Sequence, residues 1–382
     1  MAQSLCDDGL VVVSSHDPDP DRAVADVAAG LGTRALAGGL LFCSHSYDRD
    51  RLSAAIARHL GGFPLIGCTS AGELSERGYD SDSLVFIGFP ADAFRMAVHC
   101  FDDLDGFDVE AGRAAIRQLA AGAVQRAREL GDKANHAALF LVDGLSHREE
   151  LLTMTVQDAL GDTVMVGGSS GDGMLFRETG IFVNGQFLKD AAVVAILSSL
   201  RPMHVFSAHH YRPGPAKMIV TGSDPQARVV YEINAMPAAD EYRALAGRPG
   251  EPLDAAFFAA HPPMVRAGGQ YHVRSIQSAN PDGSLTFYCA IDNGIVLSVG
   301  EPVDRVKSLH SLFDEVDAAV GGIDHVIGFD CVLNRIDAEN RQLGHQVSRI
   351  YSERRLVGFN TYGEQFRAAH INQTLSGLAI GR

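Results

Sequence analysis

Along most of the 382 residues, short apolar runs alternate with stretches whose apolar positions recur at helical spacing. Leu40–Ser44 reads as a strand. Asp50–Leu60 carries Leu52, Ile56 and Leu60 on one helical face and stops at Gly61-Gly62. A second strand, Pro64–Gly67, then runs into the small-residue turn "LIGCTSAGEL". The same succession returns twice. Ala137–Val142, the helix Glu149–Leu160 and "VMVGGSSGDG" form the second copy. In the third, His325–Phe329 is followed by a helix with Leu343, Val347 and Ile350, predicted to be capped by Asn340, and then by Leu356–Phe359 and "NTYGEQF". The distance from the first strand's end to the first glycine of the turn is similar each time: Ser44 to Gly67, Asp143 to Gly167, Asp330 to Gly358. A further apolar strand follows each turn, at Leu84–Phe89, Ala191–Leu197 and Thr374–Ile380.

Alternation of strand and helix predicts an α/β fold: mixed sheets with flanking helices, in two lobes built from duplicated strand-helix-strand units. Some strand pairs should be parallel and joined by right-handed crossovers. Further helices are expected on the faces Val24, Val27, Ala28, Leu31; Ile116, Leu119, Ala123, Ala127, Leu130; and Val306, Leu309, Phe313, Val316, Val320. Hairpins are expected at Asn184-Gly185 and across Pro281-Asp282-Gly283. The least periodic stretch, "AHHYRPGPAK" at 208–217, suggests a domain boundary near Leu200–Pro215.

The three turns have a plain structural use, since Thr, Ser and Asn side chains can bond backbone groups freed where a strand bends away. Turns at strand ends are also where α/β sheets bind ligands. On that second reading Thr69, Ser70, Ser169, Ser170, Asn360 and Thr361 are candidate cofactor-binding residues.

Net charge is −15, so a phosphate-rich partner finds no electrostatic support, and nucleic acid is not expected. No apolar run approaches the length of a spanning helix, and the opening MAQSLCDDGLVVVSS lacks a basic secretion n-region. Six scattered cysteines without a CxxC pair fit a cytoplasmic protein with reduced thiols, not a zinc ribbon or a thioredoxin motif. Gly167-Gly168-Ser169-Ser170-Gly171 matches a nucleophile elbow in letters only, because Gly171-Asp172-Gly173 replaces the helix the elbow needs. With no other catalytic signature, the chain is not expected to be an enzyme. His209-His210, His261 (beside Phe257-Phe258) and His370 are the histidines placed to interest a metal, and spacing alone does not select among them.

"LIGCTSAGEL…SLVFIGF" and "MVGGSSGDG…IFVNGQFLKDAAVVAIL" resemble the FIST N domain. "YEINAMPAADEY", "VRSIQSANPDGSLTFYCAIDNG", "IGFDCVLNRI" and "VGFNTYGEQF…HINQTLSGLAIG" look like its FIST C companion. The resemblance implies a FIST N-like domain over 1–205 and a FIST C-like domain over 206–382. It implies a sensory protein, nearest to the stand-alone, haem-binding, nitric-oxide-sensing members. Such a protein would act on a partner histidine kinase or cyclic-di-GMP enzyme (a diguanylate cyclase or phosphodiesterase), with no membrane or nucleic-acid partner; a homo-oligomer is among the arrangements open to it. Haem iron would then be held by a histidine, with His370 first in order and His210, His209 and His261 following. The alternative is a haem-free FIST sensor that binds an amino acid or another small metabolite at the hydroxyl-rich turns.

Overall fold

The computed structural model describes residues 9–131, 133–267 and 269–382. Cys6 and the first eight residues of the segment read for a secretion signal lie outside the described residues.

Three units share one plan. The first comprises β1 (Val11–Ser15), α1 (Pro20–Leu31), β2 (Leu36–Ser44), α2 (Arg49–His59), β3 (Leu65–Ser70), the hairpin β4 (Glu73–Ser75) and β5 (Gly78–Asp80), and β6 (Leu84–Pro90). The second comprises β7 (Phe94–Phe101), α3 (Val109–Ala127), β8 (Asn135–Val142), α4 (Glu149–Leu160), β9 (Met165–Ser169), the hairpin β10 (Ile181–Val183) and β11 (Gln186–Leu188), and β12 (Ala192–Ser199). The third opens with β13 (Met203–His209) and is then interrupted by an insertion. Eight strands, β14 to β21, lie between Tyr211 and Pro302 with helices α5 (Ala238–Leu245) and α6 (Ala255–Ala260). The third unit resumes with α7 (Arg305–Val320), β22 (Ile323–Cys331), α8 (Val332–Asn340), α9 (Gly344–Glu353), β23 (Leu356–Thr361), the hairpin β24 (Glu364–Phe366) and β25 (Ala369–Ile371), and β26 (Thr374–Gly381).

Each unit sends its hairpin into a neighbour's sheet. The three six-stranded sheets run β1-β6-β2-β3-β10-β11, β7-β12-β8-β9-β24-β25 and β13-β26-β22-β23-β4-β5. In each, the third and fourth strands are parallel and every other pair is antiparallel. Leu40, Phe42, Ile66, Leu139, Leu141, Val166, Ile327, Phe329, Val357 and Phe359 meet in one core built from all three sheets. Burying a side chain of this kind stabilises by about 1.5–3 kcal/mol, so the exchange of hairpins is locked by shared packing. A glycine recurs at one place: a Cβ on Gly67, Gly167 or Gly358 would overlap the carbonyl oxygen of Leu41, Phe140 or Gly328 on the parallel neighbour. These glycines are there because the strands approach too closely for any side chain.

The expected mixed α/β class is what forms, with three units around one core where two lobes were expected. The insertion is a separate antiparallel sheet with its own core of Met218, Val220, Tyr242, Phe258, Leu285 and Leu297. Its presence explains the aperiodic 208–217 segment, which is the end of β13 and the start of the long, bulged β14. The expected boundary at 205/206 falls within β13, which pairs with β26. Asn340 ends α8 and caps nothing; α9 starts after Leu343 without a side-chain cap. The two hairpins read from turn residues are present, with Asn184 and Gly185 both at positive φ as a two-residue turn requires.

Candidate functional site

The three turns converge. The Ala71 amide donates to the Asn360 carbonyl (2.9 Å), Gly171 to Thr69 (3.1 Å) and Ser169 to Gly363 (2.8 Å), so each turn is bonded to the next. The six candidate residues are therefore together, and all are buried. Most of their polar atoms are spent on the turns themselves. Thr69 Oγ1 accepts from the Gly180 amide (3.0 Å), Ser170 Oγ from Gly144 (3.2 Å), and Asn360 Nδ2 donates to the Asp330 carbonyl (3.2 Å). Ser70 and Thr361 donate to Glu73 and Glu364, whose second oxygens accept from the amides and hydroxyls of Ser83 and Thr374. Burial pushes these two carboxyls up, to about 7 for Glu73 and about 8 for Glu364, against the opposing effect of the hydroxyl bonds.

Ser169 alone among the six reaches something different. Each imported hairpin lays a cross-strand pair beneath a helix that connects the two parallel strands (α2, α4 and α9), opposite one of the recurrent glycines. In the first sheet the pair is Phe182 and Phe187, opposite Gly67; in the third it is Leu74 and Tyr79, opposite Gly358. In the second sheet, opposite Gly167, it is Gln365 and His370. Gln365 Nε2 donates to Ser169 Oγ (2.8 Å) and faces His370 Nδ1 (3.2 Å). Gln365 Oε1, His370 Nε2 and Asn372 Nδ2 are buried and have no partner among the described residues. Leaving a buried polar atom unbonded costs about 1–3 kcal/mol, and the Phe182–Phe187 copy of the hairpin shows the fold accepts apolar residues here. Burial also pushes the His370 imidazole down, so the ring is neutral at pH 7; Glu150 and Glu149 oppose that shift.

The insertion covers this pair. Arg228 enters from it and places Nη2 2.6 Å from Glu149 and 2.7 Å from Glu150, at the first turn of α4. Helix α4 lacks a side-chain N-cap, whereas α2 at the matching place is capped by Asp48. The two glutamates thus complement the helix dipole and bind the insertion. Arg274 donates to the His370 carbonyl (3.0 Å), and the Ser275 hydroxyl to Gln373 Oε1 (2.9 Å). Beside it Phe176, Tyr362 and Tyr288 stack, with ring centres 4.6 Å (Phe176–Tyr362) and 5.9 Å (Phe176–Tyr288) apart; the buried Tyr288 hydroxyl has no partner.

The four histidines are separate. His370 Nε2 is sealed against Gly363 and Asn372. His210 is buried with Nδ1 3.1 Å from Ser308 Oγ, and His209 Nε2 is engaged by the Tyr271 carbonyl at 3.0 Å. None of these three offers iron an open ring nitrogen. His261 does stand on a cavity, of about 270 Å³, walled by Pro215, Ala216, Leu245, Ala246 and Val299. It packs on Phe257 with ring centres 5.1 Å apart, and burial holds it neutral. Among the described residues no three His, Cys, Asp or Glu side chains group to hold a metal, and no helix is long and apolar enough to cross a membrane. The five described cysteines are free, and burial pushes Cys68 and Cys331 well above the ordinary thiol range.

Gln365, Asn372, Glu149, Glu150, Arg228, Arg274 and Tyr288 were not singled out from sequence. A signal for the first existed: aligning the copies past the turn sets Gln365 and His370 against Phe182 and Phe187. Arg228 and Arg274 carry no such signal, because their place depends on how the insertion folds back.

A model of the FIST N domain matches residues 37–236 and one of the FIST C domain matches residues 238–367. The junction of the two matches lies inside the insertion, at Pro237 in the short strand β16 (Met236–Pro237), just before α5. No curated protein matches the chain.

Proposed function

The chain belongs to the FIST family, whose domains serve sensory signal transduction, and from that premise we propose that it senses a small polar metabolite where the insertion sits on the second sheet. One observation carries this reading. Of the three equivalent imported hairpins among the described residues, one has a cross-strand pair with polar atoms left unbonded, and it is the one the insertion covers; Phe182–Phe187 has no polar side-chain atom, and the Tyr79 hydroxyl is bonded to Asp330 and Arg305. Groups that weaken a fold and have apolar equivalents elsewhere in the same chain are best explained by binding. Binding must favour one of two arrangements to become a signal. The insertion, held by Arg228, Arg274 and one aromatic stack, supplies the movable part. Its response would pass to a partner signalling enzyme, a histidine kinase or a cyclic-di-GMP enzyme, in the cytoplasm. A metabolite that stabilises the protein in a thermal screen should also change amide exchange in 270–276 and 286–292. Stabilisation with no change in those segments would count against the site.

His261 favours a second reading, a haem-based nitric oxide sensor. Its neutral imidazole and the apolar residues Leu245, Ala246 and Val299 are the residue types that hold haem. Bound haem would supply an iron that takes nitric oxide, which offers a protein little else to grip. The cavity is slightly below the range of about 300–1,000 Å³ usual for such sites, so uptake would have to widen it. Stoichiometric haem with a Soret band lost in His261→Ala would support this reading; no uptake by the wild type would end it.

A further inference from the structure

We propose that the buried group beside Gly363 is a recognition point for an acyl oxygen, of a carboxylate or a carboxamide, and that it opens only when the segment carrying Arg274 and Ser275 lifts. The inference rests on the metabolite-sensing reading and names the chemistry of its ligand.

The geometry has three parts. A Cβ built on Gly363 would lie 3.0 Å from both His370 Nε2 and Asn372 Nδ2 and 2.4 Å from His370 Cε1, so two unpartnered nitrogens meet beside Gly363 with no room between them until the His370 ring moves. Gln365 Nε2 faces His370 Nδ1, which keeps the ring proton on Nε2; Asn372 Oδ1 faces the Ser275 amide at 3.4 Å, which turns Nδ2 inward. Both nitrogens are then donors, and two converging donors require an acceptor oxygen. Gln365 Oε1 is the remaining unpartnered atom, an acceptor suited to a ligand N–H. Second, the charge nearby is balanced for such a group. Arg228 is committed to Glu149 and Glu150, whereas Arg274 spends one nitrogen on the His370 carbonyl and makes no ion pair among the described residues. Third, these atoms are sealed by the insertion, whose Arg274 and Ser275 bond the backbone or side chains of His370, Asn372 and Gln373. Entry of a ligand therefore moves the insertion, which couples occupancy to shape.

A fixed water is the competing occupant. The pair at the matching place in the first sheet, Phe182–Phe187, has no polar side-chain atom for a water to bond, so the fold itself does not call for one.

The test is the imidazole nitrogen spectrum of the isotope-labelled full chain, titrated with acetate and with acetamide. The expected result is a His370 ring protonated at Nε2, whose Nε2 signal shifts saturably with at least one probe. Asn372→Asp, which turns a donor into an acceptor, should weaken that binding by roughly tenfold, and Gly363→Ala, which drives a methyl into the His370 ring, should abolish it. Saturation by acetate alone assigns a carboxylate and saturation by acetamide a carboxamide. A ring protonated at Nδ1, or an Nε2 proton on a water that neither probe displaces, would overturn the inference. Either failure leaves the sensory reading standing if a screened metabolite still needs Gln365 and His370, and removes both if none does.

Discussion

Gln365 and His370 lie directly across the hairpin from one another, and the glutamine amide joins His370 Nδ1 to the hydroxyl of Ser169 in the second turn. The pair belongs to the third unit and sits in the sheet of the second, so hairpin exchange carries it to the face the insertion covers.

Replacing the pair by the residue types of its equivalents should trade sensing for stability. Gln365→Leu with His370→Phe removes two unbonded buried atoms, each costing about 1–3 kcal/mol. We expect a higher Tm by thermal unfolding and no metabolite response.

The recurrent glycines should tolerate nothing larger. Gly167→Ala places a Cβ on the Phe140 carbonyl oxygen, and neither strand can retreat without disturbing the shared core. A loss of about 3 kcal/mol or more in denaturant unfolding is expected, whereas Gly185→Ala, where a Cβ meets nothing within 4 Å, should cost less.

Breaking the clasp of the insertion should be costly in one direction. Arg228→Met leaves Glu149 buried and uncompensated, for a loss of about 3–5 kcal/mol. Pairing that change with Glu149→Gln should recover part of it, as a double-mutant cycle would measure.

The buried glutamates predict falling stability as pH rises. Glu73 and Glu364 titrate near 7 and 8 in the folded chain against about 4.5 when unfolded. The folded state therefore holds more protons between these values. Their contribution is fully present below about pH 4.5 and is lost as pH rises through 7 and 8. Glu364→Gln should flatten that part of the profile in unfolding measured from pH 5 to 9.

The two FIST matches should not fold apart. A chain ending at residue 236 strands β4–β5 without β23 and leaves β9 without β24. Such a fragment should lack cooperative thermal unfolding, and recovery of it would contradict the exchange.

Periodicity exposed α1 to α4, α7 and α9, the parallel strand pairs and the triplicate plan, because these depend on neighbours in sequence; the short helices α5 and α6 of the insertion were not read. Hairpin exchange was not legible, since Glu73–Asp80 pairs with Leu356–Thr361 through contacts hundreds of residues apart. The turn residues were correctly seen to recur, whereas their bonds to one another come from the structure. Their hydroxyls were less informative than the pair that follows them, because a turn needs such groups in any protein, while a hairpin interior does not need Gln365 and His370. Helix α8 went unseen because it follows β22 without a loop.

The most direct test is a metabolite thermal-shift screen of the wild type beside the Gln365→Leu, His370→Phe variant. At least one compound should raise the wild-type Tm and leave the folded variant unmoved. Compounds that stabilise both equally, or none that stabilises the wild type, would contradict sensing at this pair.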